Sequence, residues 1–236
     1  MLPIINLGGL EIKTYYIAMA LGVVLMAILM VTRQKTYNLK TWQSLLFVLL
    51  ITISGIFSAK MLYIIESWNH IKENGLSIGG FSFFGAFYFV PPFMALMGLL
   101  FHLKPFQSAN AASICGAAQL GMMRFGCFLN GCCGGKECVI GHTTFNWPAP
   151  LMESTLDFIA LFILLKLEQK GVKRTYPYAF MFYGVIRFIM EFFRLGTPFF
   201  CGLTEGQLFS VGAIVIGLTV LIIEKNKIKK EKLSEI

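Results

Sequence analysis

Apolar residues run almost unbroken through long stretches of this chain, and polar residues collect in the short intervals between them. Windows of about 19 residues mark spans near Tyr15 to Val31, Gln43 to Ile65, Phe83 to His102 and Asn110 to Leu129, then Leu151 to Leu167, Tyr178 to Phe193 and Gln207 to Ile223. The pattern predicts an all-α integral membrane protein: a bundle of seven transmembrane helices, a single domain over residues 1–236 with nothing outside the bilayer beyond loops. The first thirteen residues carry neither a basic start nor a small-residue cleavage site, so the first span is expected to stay as an anchor.

Composition agrees with the pattern. Hydrophobic residues make up 56% of the chain and charged ones only 14%, well away from the balance of a soluble domain. The net charge of +8 is distributed by side rather than by patch. Alternate connections hold Arg33, Lys35 and Lys40; Lys104; Lys166, Lys170, Lys173 and Arg174; and Lys225, Lys227, Lys229, Lys230 and Lys232. The opposite connections hold only Lys13, Lys72 and Lys136. By the positive-inside rule this predicts an outer amino terminus and a cytoplasmic carboxy terminus. The same reading removes nucleic acid as a partner, because the basic residues anchor helix ends at an anionic leaflet instead of forming one reading face.

Lys60, Arg124, Glu153, Asp157, Arg187 and Glu191 fall inside the predicted spans, and Arg194 follows within the apolar run Tyr178 to Phe200. A charge near mid-bilayer costs about 2.5 to 3.5 kcal/mol on insertion scales, so such groups face a polar cavity and a partner. Counting residues from the outer span ends at 1.5 Å each, Lys60, Arg124 and Arg187 lie roughly 10 Å below the outer surface, with the other four at or above that depth. The expectation is a polar chamber, built by four helices, that opens toward the outer leaflet. Simpler readings exist for some members. Arg187 and Glu191 have the i, i+4 spacing of an intrahelical ion pair, Arg194 has the place of a snorkelling anchor, and Asp157 suits the positive end of a helix dipole after Pro148 and Pro150. Ser113, Ala117 and Gly121 form a small-residue seam that presses the Arg124 helix against a neighbour. Pro91 and Pro92 are expected to kink the third span. Guanidinium groups oriented by acids in a low-dielectric pocket suit an oxyanion such as phosphate, and from the outer leaflet that means a phospholipid headgroup.

Several blocks extend the inference. Gly121 to Gly131 reads G-M-M-R-F-G-C-F-L-N-G, and Gly79 to Gly85 reads G-G-F-S-F-F-G. Trp147 to Glu153 reads W-P-A-P-L-M-E, Arg187 to Arg194 reads R-F-I-M-E-F-F-R, and Gly206 to Ser210 reads G-Q-L-F-S. In this order, with Tyr15 opening the first span, the blocks resemble the signatures of the bacterial prolipoprotein diacylglyceryl transferases. The resemblance implies transfer of the diacylglyceryl group from phosphatidylglycerol to the cysteine thiol of a lipobox-containing exported precursor, at the outer leaflet of the plasma (inner) membrane. It implies catalytic roles for Arg124, Arg187 and Glu191, with Tyr15, Ser82, Asn130, Gly131, Gly135, Glu153, Arg194 and Gln207 binding substrate, and it calls for no metal or cofactor.

The chain departs from the family pattern at the positions that handle protons. Phe84 and Trp147 stand where the family has histidines, Cys127 where it has an asparagine, and Cys132 where it has a glutamate. A thiolate has the nucleophilicity and basicity that a phenyl ring lacks, so Cys132 is the candidate replacement. Cys127, Cys132, Cys133 and Cys138 are close in sequence, but their spacing is not that of a paired C-x-x-C site, which argues against a metal. A disulfide from Cys132 or Cys133 to Cys138 suits a loop facing outside. Two further classes share the features: a membrane thiol-redox protein, and a phospholipid-binding protein without turnover. A serine protease does not, since His70, His102 and His142 lie near span ends or in loops. Single cysteines placed at Arg124, Glu153 and Arg187 are expected to react with impermeant thiol reagents from the outer side only; labelling from the cytoplasm would remove the chamber.

Overall fold

The structure is a computed structural model that describes residues 3–7, 10–68, 71–72, 75, 81–140, 143–194 and 198–234. It is mostly helical. Helix α1 (Thr14–Thr32) is followed by the short α2 (Gln34–Tyr37), α3 (Thr41–Glu66) and α4 (Phe83–Met97), which tightens into a 3-10 turn at Gly98–Phe101. Then come α5 (Pro105–Asn130), α6 (Ala149–Gln169), α7 (Tyr176–Glu191) and α8 (Glu205–Ser234). Three antiparallel hairpins sit between helices: β1 (Ile4–Leu7) with β2 (Leu10–Lys13), β3 (Glu137–Ile140) with β4 (Thr143–Asn146), and β5 (Pro198–Phe200) with β6 (Leu203–Thr204).

Each predicted span is a helix, most of them extended by a few residues. Among the described residues five are long and apolar enough to cross a membrane: α1, α3, α4 with its 3-10 turn, α5, and α8 up to Asn226. Helices α6 and α7 stand where the pattern puts the fifth and sixth spans, and they carry Glu153, Asp157, Arg187 and Glu191. The helical run of α4 passes through Pro91 and Pro92 instead of ending there. Leu49, Ile53, Ile56 and Phe57 of α3 are exposed, as an apolar solvent permits. Of the G-G-F-S-F-F-G block, Gly79 and Gly80 lie outside the described residues, as do His70, His142 and most of the stretch between α3 and α4.

The chain forms two compact units, Val23–Gly116 and a second made of Met1–Gly22 with Ala117–Ile236. The first has a core of Met26, Met30, Phe47, Val90, Met94 and Cys115. There Gly85 lets α4 lie on α3, because a methyl at Gly85 would run into the Ser58 carbonyl and come within 2.9 Å of Leu62. Lys60 belongs to this unit, with its ammonium 5.1 Å from the Tyr63 ring centre and 5.0 Å from that of Phe81. So does Ser82, whose hydroxyl donates to Glu66 Oε1 at 3.0 Å and whose N–H donates to the Ala59 carbonyl.

The second unit holds Arg124, Glu153, Asp157, Arg187, Glu191 and Arg194. Helix α8 opens with a reciprocal capping box: the Thr204 N–H donates to Gln207 Oε1 at 3.1 Å and the Gln207 N–H to Thr204 Oγ1 at 3.2 Å. It then packs on α7 through glycines. A Cβ at Gly184 would lie 2.8 Å from the Ser210 carbonyl, and one at Gly217 would lie 2.7 Å from both the Pro177 carbonyl and Met181 Cγ. Helix α5 meets α6 in the same way, with Gly121 against the Phe158 ring and the Ser154 hydroxyl donating to the Gly121 carbonyl at 2.8 Å. The far end of the small-residue seam therefore does press α5 onto a neighbour, one turn before Arg124. Gly217→Ala is expected to cost about 1 to 3 kcal/mol through overpacking. Gly116→Ala, with open space where the Cβ would stand, should be neutral or stabilise by up to about 1 kcal/mol. Thermal unfolding of the two purified variants checks this, and the reverse order would contradict the packing.

A candidate active site built around a buried carboxylate

Glu153 comes first. It stands in the second turn of α6, whose amino end is set by Pro148 and Pro150, and its side chain is completely buried. Three arginines from three segments surround it. Arg124 of α5 brings Nε to 3.1 Å from Oε1, Arg187 of α7 brings Nη1 to 3.7 Å from the same oxygen, and Arg194 brings Nη1 to 3.7 Å from Oε2. Arg187 also grips Glu191 one turn along α7, Nη2 to Oε2 at 2.8 Å. The i, i+4 pair read from the sequence is thus real, and it is one edge of a larger cluster.

Each arginine has a backbone reason to be there. The Gly121 contact with Phe158 holds α5 close to α6, which brings Arg124 within reach. Gly206 in the first turn of α8 leaves room for the Arg187–Glu191 pair: a methyl there would stand 2.9 Å from Glu191 Oε2 and 3.2 Å from Arg187 Nη2. Helix α8 thereby points its amino end, the positive end of its dipole, at the Glu191 carboxylate. Arg194 lies beyond α7 and is tied down by main chain. Gly135 bridges to Arg194, the Gly135 N–H donates to the Trp147 carbonyl at 2.9 Å, and the Lys136 N–H donates to the Phe193 carbonyl at 2.9 Å. A Cβ at Gly135 would lie 2.6 Å from that Phe193 carbonyl. This glycine, and the Trp147 ring 5.5 Å from that of Phe193 and tilted to it, hold Arg194 in place, so it is no free snorkelling anchor.

The cluster is close in charge and open in hydrogen bonding. Arg124 Nε, Arg187 Nε and Nη1, and Arg194 Nη1 are buried without a hydrogen-bond partner among the described residues, as are both Glu153 oxygens. The groups attract each other, but their N–H bonds are not aimed at the oxygens. A buried donor left in that state costs about 1 to 3 kcal/mol, which an incoming oxyanion would recover. Asp157 is buried on the next turn of α6, with Oδ2 also lacking a partner. Its place near the amino end of α6 also suits the helix dipole, as its sequence position suggested. Tyr183, one turn before Arg187, is buried within electrostatic reach of Arg124, Glu153 and Asp157. Sequence reasoning missed it, although i−4 from Arg187 on an apolar helix was the available signal.

The other predicted site residues divide. Tyr15 is half-buried beside Gly126 and within electrostatic reach of Arg124 and of Cys127, Cys132 and Cys133. Asn130 ends α5 and Gly131 follows with φ +72°. The Gly131 N–H donates to Phe128 O and the Cys132 N–H to Cys127 O, both at 3.1 Å, which is the pairing of a Schellman cap. Gln207 is occupied in the α8 capping box, and Ser82 belongs to the other unit. All six cysteines are free thiols, so the expected bridge from Cys132 or Cys133 to Cys138 is not formed; Cys138 is on β3, paired opposite Phe145. Instead Cys127, Cys132 and Cys133 bring their sulfurs within 4.8 Å of one another. A hydrogen bond with the Cys127 thiol, helped by Arg194 and Arg124, holds the Cys133 thiol down at about 5 against the opposing effect of its partial burial.

Comparison with known proteins agrees with the blocks in the sequence. The sequence model of a family described as prolipoprotein diacylglyceryl transferase matches residues 3–223. The chain belongs to this family. It is similar to the phosphatidylglycerol–prolipoprotein diacylglyceryl transferase of Clostridium tetani, 30% identical over 242 residues that cover 93% of this chain and 96% of that one. The enzymes of that name from Dehalococcoides mccartyi and Clostridium perfringens (the latter numbered 2) are 29% and 28% identical, covering 91% and 94% of this chain and 89% and 95% of theirs. As a member of the family it is a membrane protein, in keeping with its five long apolar helices.

Removing Glu153 leaves three guanidinium groups facing one another. Glu153→Ala is expected to destabilise this transferase-family protein by about 3 to 5 kcal/mol, against no more than about 0.5 kcal/mol for Glu137→Ala on the exposed β3 strand. Equal losses in thermal unfolding would contradict the assignment of Glu153 as the hub.

Proposed function

We propose that this chain is a phosphatidylglycerol–prolipoprotein diacylglyceryl transferase of lipoprotein biogenesis. It acts as one domain of seven transmembrane helices in a bacterial plasma membrane, with an outer amino terminus, a cytoplasmic carboxy terminus and a site open to the outer leaflet. The donor is phosphatidylglycerol, drawn from the surrounding lipid, and the acceptor is the lipobox cysteine of an exported precursor. The observation that carries this reading is the set of buried guanidinium nitrogens on Arg124, Arg187 and Arg194 that have no hydrogen-bond partner among the described residues. Family membership supports it, and the names of the relatives supply the substrates.

The chemistry follows from charge. The lipid phosphodiester carries one negative charge. As the acceptor sulfur forms its bond to the glycerol carbon, the carbon–oxygen bond to phosphate breaks, the electron pair leaves on oxygen, and the phosphate gains a second negative charge. Donors aimed at a group whose charge grows are worth more in the transition state than in the ground state. Arg124 and Arg187 bind the headgroup phosphate in this scheme, and Glu191 orients Arg187. Glu153 keeps the three guanidinium groups together until the lipid arrives, and Arg194 closes the outer side. Tyr15 and Asn130 line the pocket. Gly131, Gly135 and Gln207 shape the backbone around it, and Cys132 lies beside the acceptor position.

The test is mass spectrometry of a lipobox peptide incubated with the purified protein and phosphatidylglycerol. A diacylglyceryl thioether on the peptide cysteine, with glycerol phosphate released, is the expected product. Arg187→Ala should lower its rate by about a thousandfold, in the range seen when a donor to a developing oxyanion is lost, whereas Lys225→Ala on the exposed end of α8 should leave it unchanged. Lipid that co-purifies without any adduct would overturn the transferase reading in favour of a phospholipid-binding protein.

A further inference from the structure

Three sulfurs converge at the outer end of α5, and the backbone is shaped to bring them there. The Schellman cap at Asn130–Gly131 folds the chain back so that the residue after Gly131 lies over the residue three places before the cap. Those two residues are Cys132 and Cys127, and the Cys132 thiol donates to the Cys127 carbonyl at 3.6 Å. Cys133 then takes φ +59°, a left-handed conformation that costs a residue with a side chain about 1 to 2 kcal/mol. That second turn swings its sulfur toward the first two, and all three come to lie within 4.8 Å of one another. Spacing alone argues that adjacent cysteines serve one metal poorly; two consecutive left-handed turns around Cys132 remove that objection.

We propose that Cys127, Cys132 and Cys133 form a three-thiolate site for a thiophilic divalent cation such as Zn2+, with the fourth position open to the acceptor thiol; this rests on the transferase reading above. Zn–S bonds of about 2.3 Å in tetrahedral geometry need sulfurs about 3.8 Å apart, a small contraction from the observed cluster. Exposure runs the right way, from the buried Cys127 through the half-buried Cys132 to the exposed Cys133, so the unfilled position faces outward, where an exported peptide approaches. Three thiolates and one divalent cation carry a net charge of −1, and Arg194 and Arg124 lie within electrostatic reach of Cys133 to balance it. The cluster also lies beside Arg124, so an acceptor held on it stands next to the residue assigned to the lipid phosphate.

The step balances without any other reactant. On binding the cation, the acceptor thiol releases its proton to water. The bound sulfur uses its electron pair to form the bond to the glycerol carbon, and the carbon–oxygen bond to phosphate breaks with its pair going to the departing glycerol phosphate. The thioether product is a weaker ligand than a thiolate and leaves the cation, which restores the open position. No electron is transferred, and the three protein thiolates are unchanged.

The experiment uses the full chain, reduced and in detergent or nanodiscs, titrated with Co2+ as a spectroscopic probe and assayed for zinc as purified. A sulfur-to-cobalt charge-transfer band at one equivalent is expected. Cys133→Ser should retain less than about a tenth of it, and Cys201→Ser, in the exposed β5–β6 turn, all of it. Because Cys133 is exposed, that variant should keep its fold, checked by its helical circular dichroism. A lipobox peptide should shift the cobalt spectrum, and the same peptide with serine for cysteine should not. No band in the reduced wild type, a band that survives Cys133→Ser, or a Cys127–Cys133 disulfide in the freshly purified protein would each overturn the site. A three-cysteine band that the peptide does not move would overturn the open position. Thioether formation at an undiminished rate by metal-stripped protein would also overturn the proposal while leaving the transferase reading intact.

Discussion

One carboxylate holds the centre of this protein. Glu153 is fully buried in α6, and it faces guanidinium groups from α5, from α7 and from the segment beyond α7. Placing an ionised group in such surroundings costs several kcal/mol after relaxation, and three cations brought together cost more. Neither arrangement is tolerable alone. The carboxylate makes the arginines compatible with one another, and the arginines give the buried carboxylate its ion-pair partners. The contacts lie between 3.1 and 3.7 Å, with N–H bonds left unaimed. The cluster is therefore assembled without being saturated: its donors are already desolvated and already held.

Such an arrangement demands short distances between helix backbones. Small residues supply them where charge needs them. Gly121 admits the Phe158 ring, Gly184 and Gly217 bring α7 against α8, and Gly206 lets the start of α8 stand next to the Arg187–Glu191 pair. Between apolar helices in lipid there is no hydrophobic drive to associate, so van der Waals contact across such seams carries the packing. The residues of the G-Q-L-F-S block accordingly act through backbone: the glycine makes room, the glutamine completes a helix cap with Thr204, and the serine hydroxyl returns to the Gly206 carbonyl. The Gly135 bridge does the same for Arg194, fixing a charged side chain by tying down the main chain that carries it.

The end of α5 shows how local backbone conformation decides chemistry. Asn130 and Gly131 stop the helix, and the same hydrogen bonds that stop it lay Cys132 on Cys127. A helix that ran three residues further would have pointed Cys132 and Cys133 in different directions around its axis, at about 100° per residue. The cap converts a sequence of separated thiols into a cluster, one turn away from Arg124.

The sequence by itself determined the membrane-spanning character, the position of every long helix, and the residues whose charge had to be paired, because these depend on hydrophobic runs and on the cost of burying charge, both local to a segment. It also carried the i, i+4 pairing of Arg187 with Glu191 and the signature blocks of the family. Only the tertiary structure decided that Glu153 is the shared partner of three arginines, that Asp157 and Tyr183 are buried beside them, and that Gly135 and Gln207 serve the backbone. It likewise decided that Cys133 joins Cys127 and Cys132 while Cys138, on the β3 strand, stays apart. The physical reason is the same throughout: which side chains meet across helices depends on how closely backbones approach and where a left-handed turn redirects the chain. Neither is written in the period of the hydrophobic pattern.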